Sequence, residues 1–128
     1  MDKFAGLDLH ASSCTLGVMN PKGKHLSCQV LETNGEALIN ALKATPGRLH
    51  LCLEEYTQSI WLAEILSPHV EELVVLGLEQ QRNSSGAKND QRDAFALADK
   101  LRTNDLESVV YKQAGSGSRA SARRGRSD

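Results

Sequence analysis

The order in which short apolar segments succeed one another restricts this chain more than any other feature. Phe4-Ala-Gly-Leu-Asp-Leu9 reads as a strand and Cys14–Met19 as a second. Lys24–Leu31 returns as a third after the turn-forming Asn20-Pro-Lys-Gly23, so the chain opens on an antiparallel meander. Beyond it the apolar period changes from two to 3.6. Asn34 and Gly35 open a helix with Ala37, Leu38, Ala41 and Leu42 on its apolar face, and Pro46-Gly47 stops it. Leu49–Leu53 is apolar on both faces, as a strand covered on both sides is. Thr57–Leu66 follows as a helix, with Ile60, Trp61, Ile65 and Leu66 expected inward and Pro68 just past its end. Glu72–Leu76 is one more buried strand, the polar residues 79–88 form a loop, Asp90–Arg102 is the clearest helix, and Ser108–Tyr111 is a last short strand. Three antiparallel strands followed by alternating helix and strand predict an α/β mixed sheet of about five strands with flanking helices.

At 128 residues with 40% hydrophobic content, the chain has the size of one domain. Residues 1–112 are expected to fold as that domain, and residues 113–128, rich in Gly, Ser and Arg, to form a disordered tail. The longest apolar runs fall far short of the roughly 20 residues of a membrane span, and no charged-then-apolar leader opens the chain. The expectation is a soluble, cytoplasmic protein with no membrane partner. Cys14, Cys28 and Cys52 are odd in number and widely separated, which suits reduced core thiols. His10, His25, His50 and His69 have no metal-ligand spacing, so zinc is not expected.

The net charge of −1 hides an asymmetry. The last ten residues hold Arg119, Arg123, Arg124 and Arg126 against Asp128 alone, leaving eleven basic and fifteen acidic residues, a balance of −4, on Met1–Ser118. Phosphate binding draws on Lys and Arg displacing counterions, so this acidic body cannot hold DNA by charge alone. It needs metal ions, another domain, or both.

Four acids stand out. Asp8 lies between Leu7 and Leu9 in an otherwise apolar strand, where a buried charge is expensive. Glu55 follows a buried strand and precedes a helix, at the strand's carboxyl end, where α/β sheets keep their sites. At roughly 100° per residue, Asp90 and Asp93 share a helix face with Ala94, Leu97 and Leu101, while Arg92, Asp99 and Arg102 point away. Each acid also has a bland role: Asp8 as a strand-end residue meeting solvent, Glu55 as charge before a helix, and Asp90 with Asp93 as cap and first turn. Together they form a candidate site for magnesium or manganese, which prefer oxygen ligands. Two such ions roughly 4 Å apart support phosphodiester cleavage.

At these residues the chain resembles a known family. GLDLH at Gly6–His10, LEEYTQSIWLAEIL at Leu53–Leu66 and KNDQRDAFALADKLR at Lys88–Arg102 look like the three motifs of the DEDD insertion-sequence transposases, a family that includes pilin-gene-inverting recombinases. The resemblance implies a ribonuclease H-like fold, similar to Holliday-junction resolvases, and cutting and joining of DNA strands in transposition. It carries the acidic roles onto Asp8, Glu55, Asp90 and Asp93. Glu55 is taken over Glu54 because the family's glutamate lies two residues before a threonine, here Thr57. Lys88 matches a basic position that contacts phosphate in this reading, though a solvated lysine before a helix serves equally well. Gln58 departs from a common glycine, and Ala11 from a common lysine.

Family members continue into a second domain with a catalytic serine. The resemblance fades after Lys112, so a truncated chain, inactive alone without the missing carboxyl-terminal domain or a full-length transposase, is expected. The family also implies a homo-oligomer and an element-encoded guide RNA, neither of which the residues display. Three rivals stand beside this reading: a stand-alone junction-resolvase-like nuclease, an actin-like nucleotide-binding domain, and a non-catalytic remnant that interferes with full-length transposase.

Overall fold

The computed structural model describes residues 1–10, 12–55, 59–77, 90–106 and 109–114, excepting the side chains of Asp90, Gln91 and Ala114. Among these residues six strands form one sheet: β1 (Asp2–Leu9), β2 (Ser13–Met19), β3 (His25–Glu32), β4 (Arg48–Glu54), β5 (Glu72–Leu76) and β6 (Val109–Ala114). Among the described residues three α-helices accompany them: α1 (Gly35–Lys43), α2 (Ser59–Leu66) and α3 (Asp90–Arg102). The strand order is β3-β2-β1-β4-β5-β6, with β1, β4 and β5 mutually parallel and the outer pairings antiparallel. The expected count was about five; the sixth is the short last strand, which pairs with β5 and carries on to Ala114. Residues 113 and 114, expected in the disordered tail, instead complete β6 because they pair with β5; the rest of that tail, 115–128, and the expected loop at 79–88 lie outside the described residues.

Local chemistry accounts for the boundaries. Asn20 Oδ1 accepts from the Lys22 and Lys24 amides at 2.9 Å each, and Gly23 takes a φ of 90° that favours glycine, so the chain reverses there. The Asn34 side chain caps α1 by accepting from the Ala37 amide at 3.1 Å. Side chains alternate across β1. Ala5, Leu7 and Leu9 join Leu38 and Leu42 of α1 and Leu62, Ala63 and Leu66 of α2 in the larger core. On the opposite face, Phe4, Cys52, Val74 and Leu76 meet Leu97 and Leu101 of α3. The sheet is thus sandwiched between α1 and α2 on one side and α3 on the other.

The orientation of α2 departs from expectation. Ile60 and Trp61 are 40% and 54% exposed, whereas Ser59, Leu62, Ala63 and Leu66 are buried. The helix is apolar almost all round, so its pattern left the inner face open, and the i, i+3, i+4, i+7 set 59, 62, 63, 66 took it. Burial pushes the Cys14 and Cys52 thiols up to about 11 and about 12, so both behave as inert core residues.

Candidate functional site

Asp8 is 4% exposed, so the bland reading of it as a solvent-facing strand end does not hold. Alternation puts it on the same face as Phe4 and Gly6, toward α3. That helix lies hard against β1. A Cβ on Gly6 would stand 1.9 Å from the Ala94 carbonyl oxygen and 2.7 Å from the Ala98 amide nitrogen, and one on Gly17, its cross-strand partner, 3.1 Å from the Phe95 ring. Two glycines side by side therefore make the floor on which α3 rests.

The direction of α3 follows from its contacts. Its last residue, Arg102, donates to the Pro21 carbonyl at 3.4 Å and lies against Gly23, in the turn beside the amino end of β1. The amino end of α3 consequently points toward the carboxyl ends of β1 and β4. Asp8 lies about 7 Å beyond Gly6 along the strand. Asp90, four residues before Ala94, lies about 6 Å beyond it along the helix, with Asp93 between them. Asp93 is half-buried on the face of Ala94, Leu97 and Leu101, which are buried as expected; the Asp90 side chain and Lys88 lie outside the described residues.

One glutamate ends β4 and a second follows it. Glu54 is half-buried, and Glu55, directly after the strand, is exposed and donates its amide to the Leu76 carbonyl at 2.6 Å. The expected carboxyl-end position of Glu55 is therefore the one it occupies. His10 Nε2 lies 3.2 Å from Asp8 Oδ2, and the His10 side chain is 40% exposed. Sequence reading missed this pair, although residues i and i+2 of an extended segment share a face.

Among the described residues no three His, Cys, Asp or Glu side chains are grouped closely enough to hold a metal ion. A centre here requires Asp90 or a shift of the neighbouring carboxylates. In donor chemistry the residues fit: Asp8, Asp93 and a β4 glutamate supply only carboxylate oxygens, the ligands that magnesium and manganese take. Among the described residues, no helix is long and apolar enough to cross a membrane.

Known structures place the fold. Thermus thermophilus RuvC matches at a TM-score of 0.56 and 14% identity, covering 84% of this chain and 98% of that one. T. thermophilus RuvC in complex with a Holliday junction substrate matches at 0.48 and 12%, covering 85% and 98%. The first likeness makes the fold ribonuclease H-like. No curated protein matches the chain. The model of the IS110-type DEDD transposases, described as transposase, matches residues 5–115, and with nearly the whole described sheet inside that span, the chain belongs to this family.

Proposed function

We propose that the carboxyl ends of β1 and β4 and the first turn of α3 form a divalent-cation site that cuts DNA strands, as the catalytic domain of an insertion-sequence transposase. The burial of Asp8 against α3 carries this reading. An ionised carboxylate loses several kcal/mol of solvation when buried, and such a group at a strand's carboxyl end is a candidate for chemistry rather than stability.

Asp8, Asp90, Asp93 and a glutamate at the end of β4, which the motif gives as Glu55, would hold magnesium or manganese. When bound, such ions activate the attacking oxygen and stabilise the leaving one in phosphodiester cleavage. Asp8 anchors the site from the rigid central strand. His10, donating toward Asp8 Oδ2, orients that carboxylate from the solvent side. Asp93 approaches from α3, whose position the two floor glycines determine. Lys88, just before α3, is proposed to meet a DNA phosphate.

Incubating the purified chain with supercoiled plasmid, linear duplex and four-way junction DNA, in manganese, magnesium or chelator, tests the reading. Slow nicking that requires metal is the expected result, with Asp8→Asn and Asp93→Asn each losing it. Cleavage confined to the four-way junction would favour a structure-specific nuclease instead. Cleavage that survives chelator, or that Asp8→Asn leaves intact, overturns the proposal.

A further inference from the structure

We infer that Glu54, rather than Glu55, is the glutamate that faces Asp8 and α3 and completes the carboxylate set; this rests on the cation-site reading above. The register of the sheet carries it. β1 and β4 pair in parallel through Leu7 and Leu53, so the next residues, Asp8 and Glu54, lie side by side on strands about 4.8 Å apart. β4 and β5 pair Glu54 with Leu76.

Each neighbouring row reports its face. Leu7, Leu53 and Val75 form one row and all belong to the core under α1 and α2. Cys52 and Val74 form another and both pack with Leu97 and Leu101 of α3. The row of Thr15, Asp8, Glu54 and Leu76 is one residue beyond Leu53, and Leu76 packs on the α3 side. Glu54 therefore shares the face of Asp8.

Glu55 continues the ladder by its amide bond to Leu76, which keeps the alternation running and turns its side chain to the opposite side, where it is exposed. Reading the motif by its threonine selects Glu55; reading the sheet by its pleat selects Glu54.

Manganese titration by calorimetry of the full 128-residue chain, its E54Q and E55Q variants and D8N separates the two. E54Q and D8N are expected to weaken manganese binding at least tenfold, about the least that loss of even an outer-sphere partner costs. E55Q is expected to bind within twofold of the parent. Far-UV circular dichroism checks each fold. Should E54Q lack the parent's spectrum, E54D, with its charge kept and its reach shortened by one methylene, takes its place with the same expected loss. A loss in E55Q with E54Q unchanged, or equal losses in both, overturns the assignment while leaving the cation site standing. No binding by the parent, or parent-like binding by D8N, overturns the site itself and the assignment with it.

Discussion

The two ends of the central strands both bury an acid beside a histidine, yet they solve the problem differently. At the amino end His50 sits between Glu72, 2.7 Å from Nδ1, and Asp2, 3.3 Å from Nε2, while Arg48 holds Asp2 at 3.1 Å. The His50 ring stacks on Phe4 at 4.8 Å, and its side chain is only 12% exposed. Two carboxylates face one guanidinium and one imidazole, so the charges balance within the protein when His50 is protonated. At the carboxyl end Asp8 meets a half-exposed histidine, and the proposed site adds further acids from β4 and α3. Burial of an acid by itself thus does not mark a site. A balanced set stabilises the fold, whereas the excess of carboxylates in the proposed site would call for an outside cation.

The comparison depends on α3 covering the carboxyl end, so the largest effect should come from lifting that helix. Gly6→Val puts side-chain atoms onto the backbone of Ala94 and Ala98. It should cost about 3 kcal/mol or more in urea unfolding, at or beyond the upper range for overpacking. A loss below about 1 kcal/mol would show that α3 does not rest on this floor.

Next comes the response of each end to metal. A cation bound only by the folded chain stabilises it by about 2.7 kcal/mol at a hundred times its dissociation constant. Manganese should raise the parent's Tm and leave Asp8→Asn unmoved, while His50→Gln responds as the parent does. In chelator Asp8→Asn should melt above the parent, because close carboxylates repel one another. A lower Tm for Asp8→Asn in chelator would remove the distinction between the ends.

The amino end should instead respond to pH. Although burial acts to lower the His50 pKa, the hydrogen bonds and charges of Glu72 and Asp2 outweigh it and raise the pKa. Burial likewise acts to raise the Asp2 pKa, but His50 and Arg48 pull it below the ordinary value of 3.8. The His50 contribution is therefore complete below its ordinary value of 6.5 and disappears as pH rises through the raised folded value. The Asp2 contribution is present above 3.8 and is lost as pH falls through the lowered one. Stability in chelator should decline by about 1.5–3 kcal/mol on the alkaline side of His50, on the scale of one hydrogen bond to a charged group. His50→Gln should flatten that decline; an unchanged profile would break the assignment of this cluster.

The smallest effect is expected at Trp61, exposed on α2. Trp61→Ala should shift stability by no more than about 0.5 kcal/mol, as for a surface site, while Leu62→Ala should cost about 2–5 kcal/mol as a core cavity. The reverse order would restore the inward orientation expected from sequence.

The sequence by itself determined where the elements lie. Glu72–Leu76 and Asp90–Arg102 have in the structure the bounds that their apolar spacing predicts, because a strand or helix pattern is written in residues close along the chain. It also exposed Asp8, since a carboxylate between two leucines of a strand conflicts with its surroundings. Facing was another matter. Ile60 and Trp61 read as inward in a helix apolar on every side, and only packing against the sheet chose Leu62 and Leu66 instead. Glu54 and Glu55 are adjacent acids that local pattern treats alike. Only the pairing of Leu7 with Leu53 and of Glu54 with Leu76 separates them, because a one-residue step along a strand reverses the face and that register is set by partners distant in sequence. The glycine floor was likewise invisible in Gly6 or Gly17 alone. It exists because the hairpin sets the two glycines opposite each other and α3 then approaches more closely than any side chain permits.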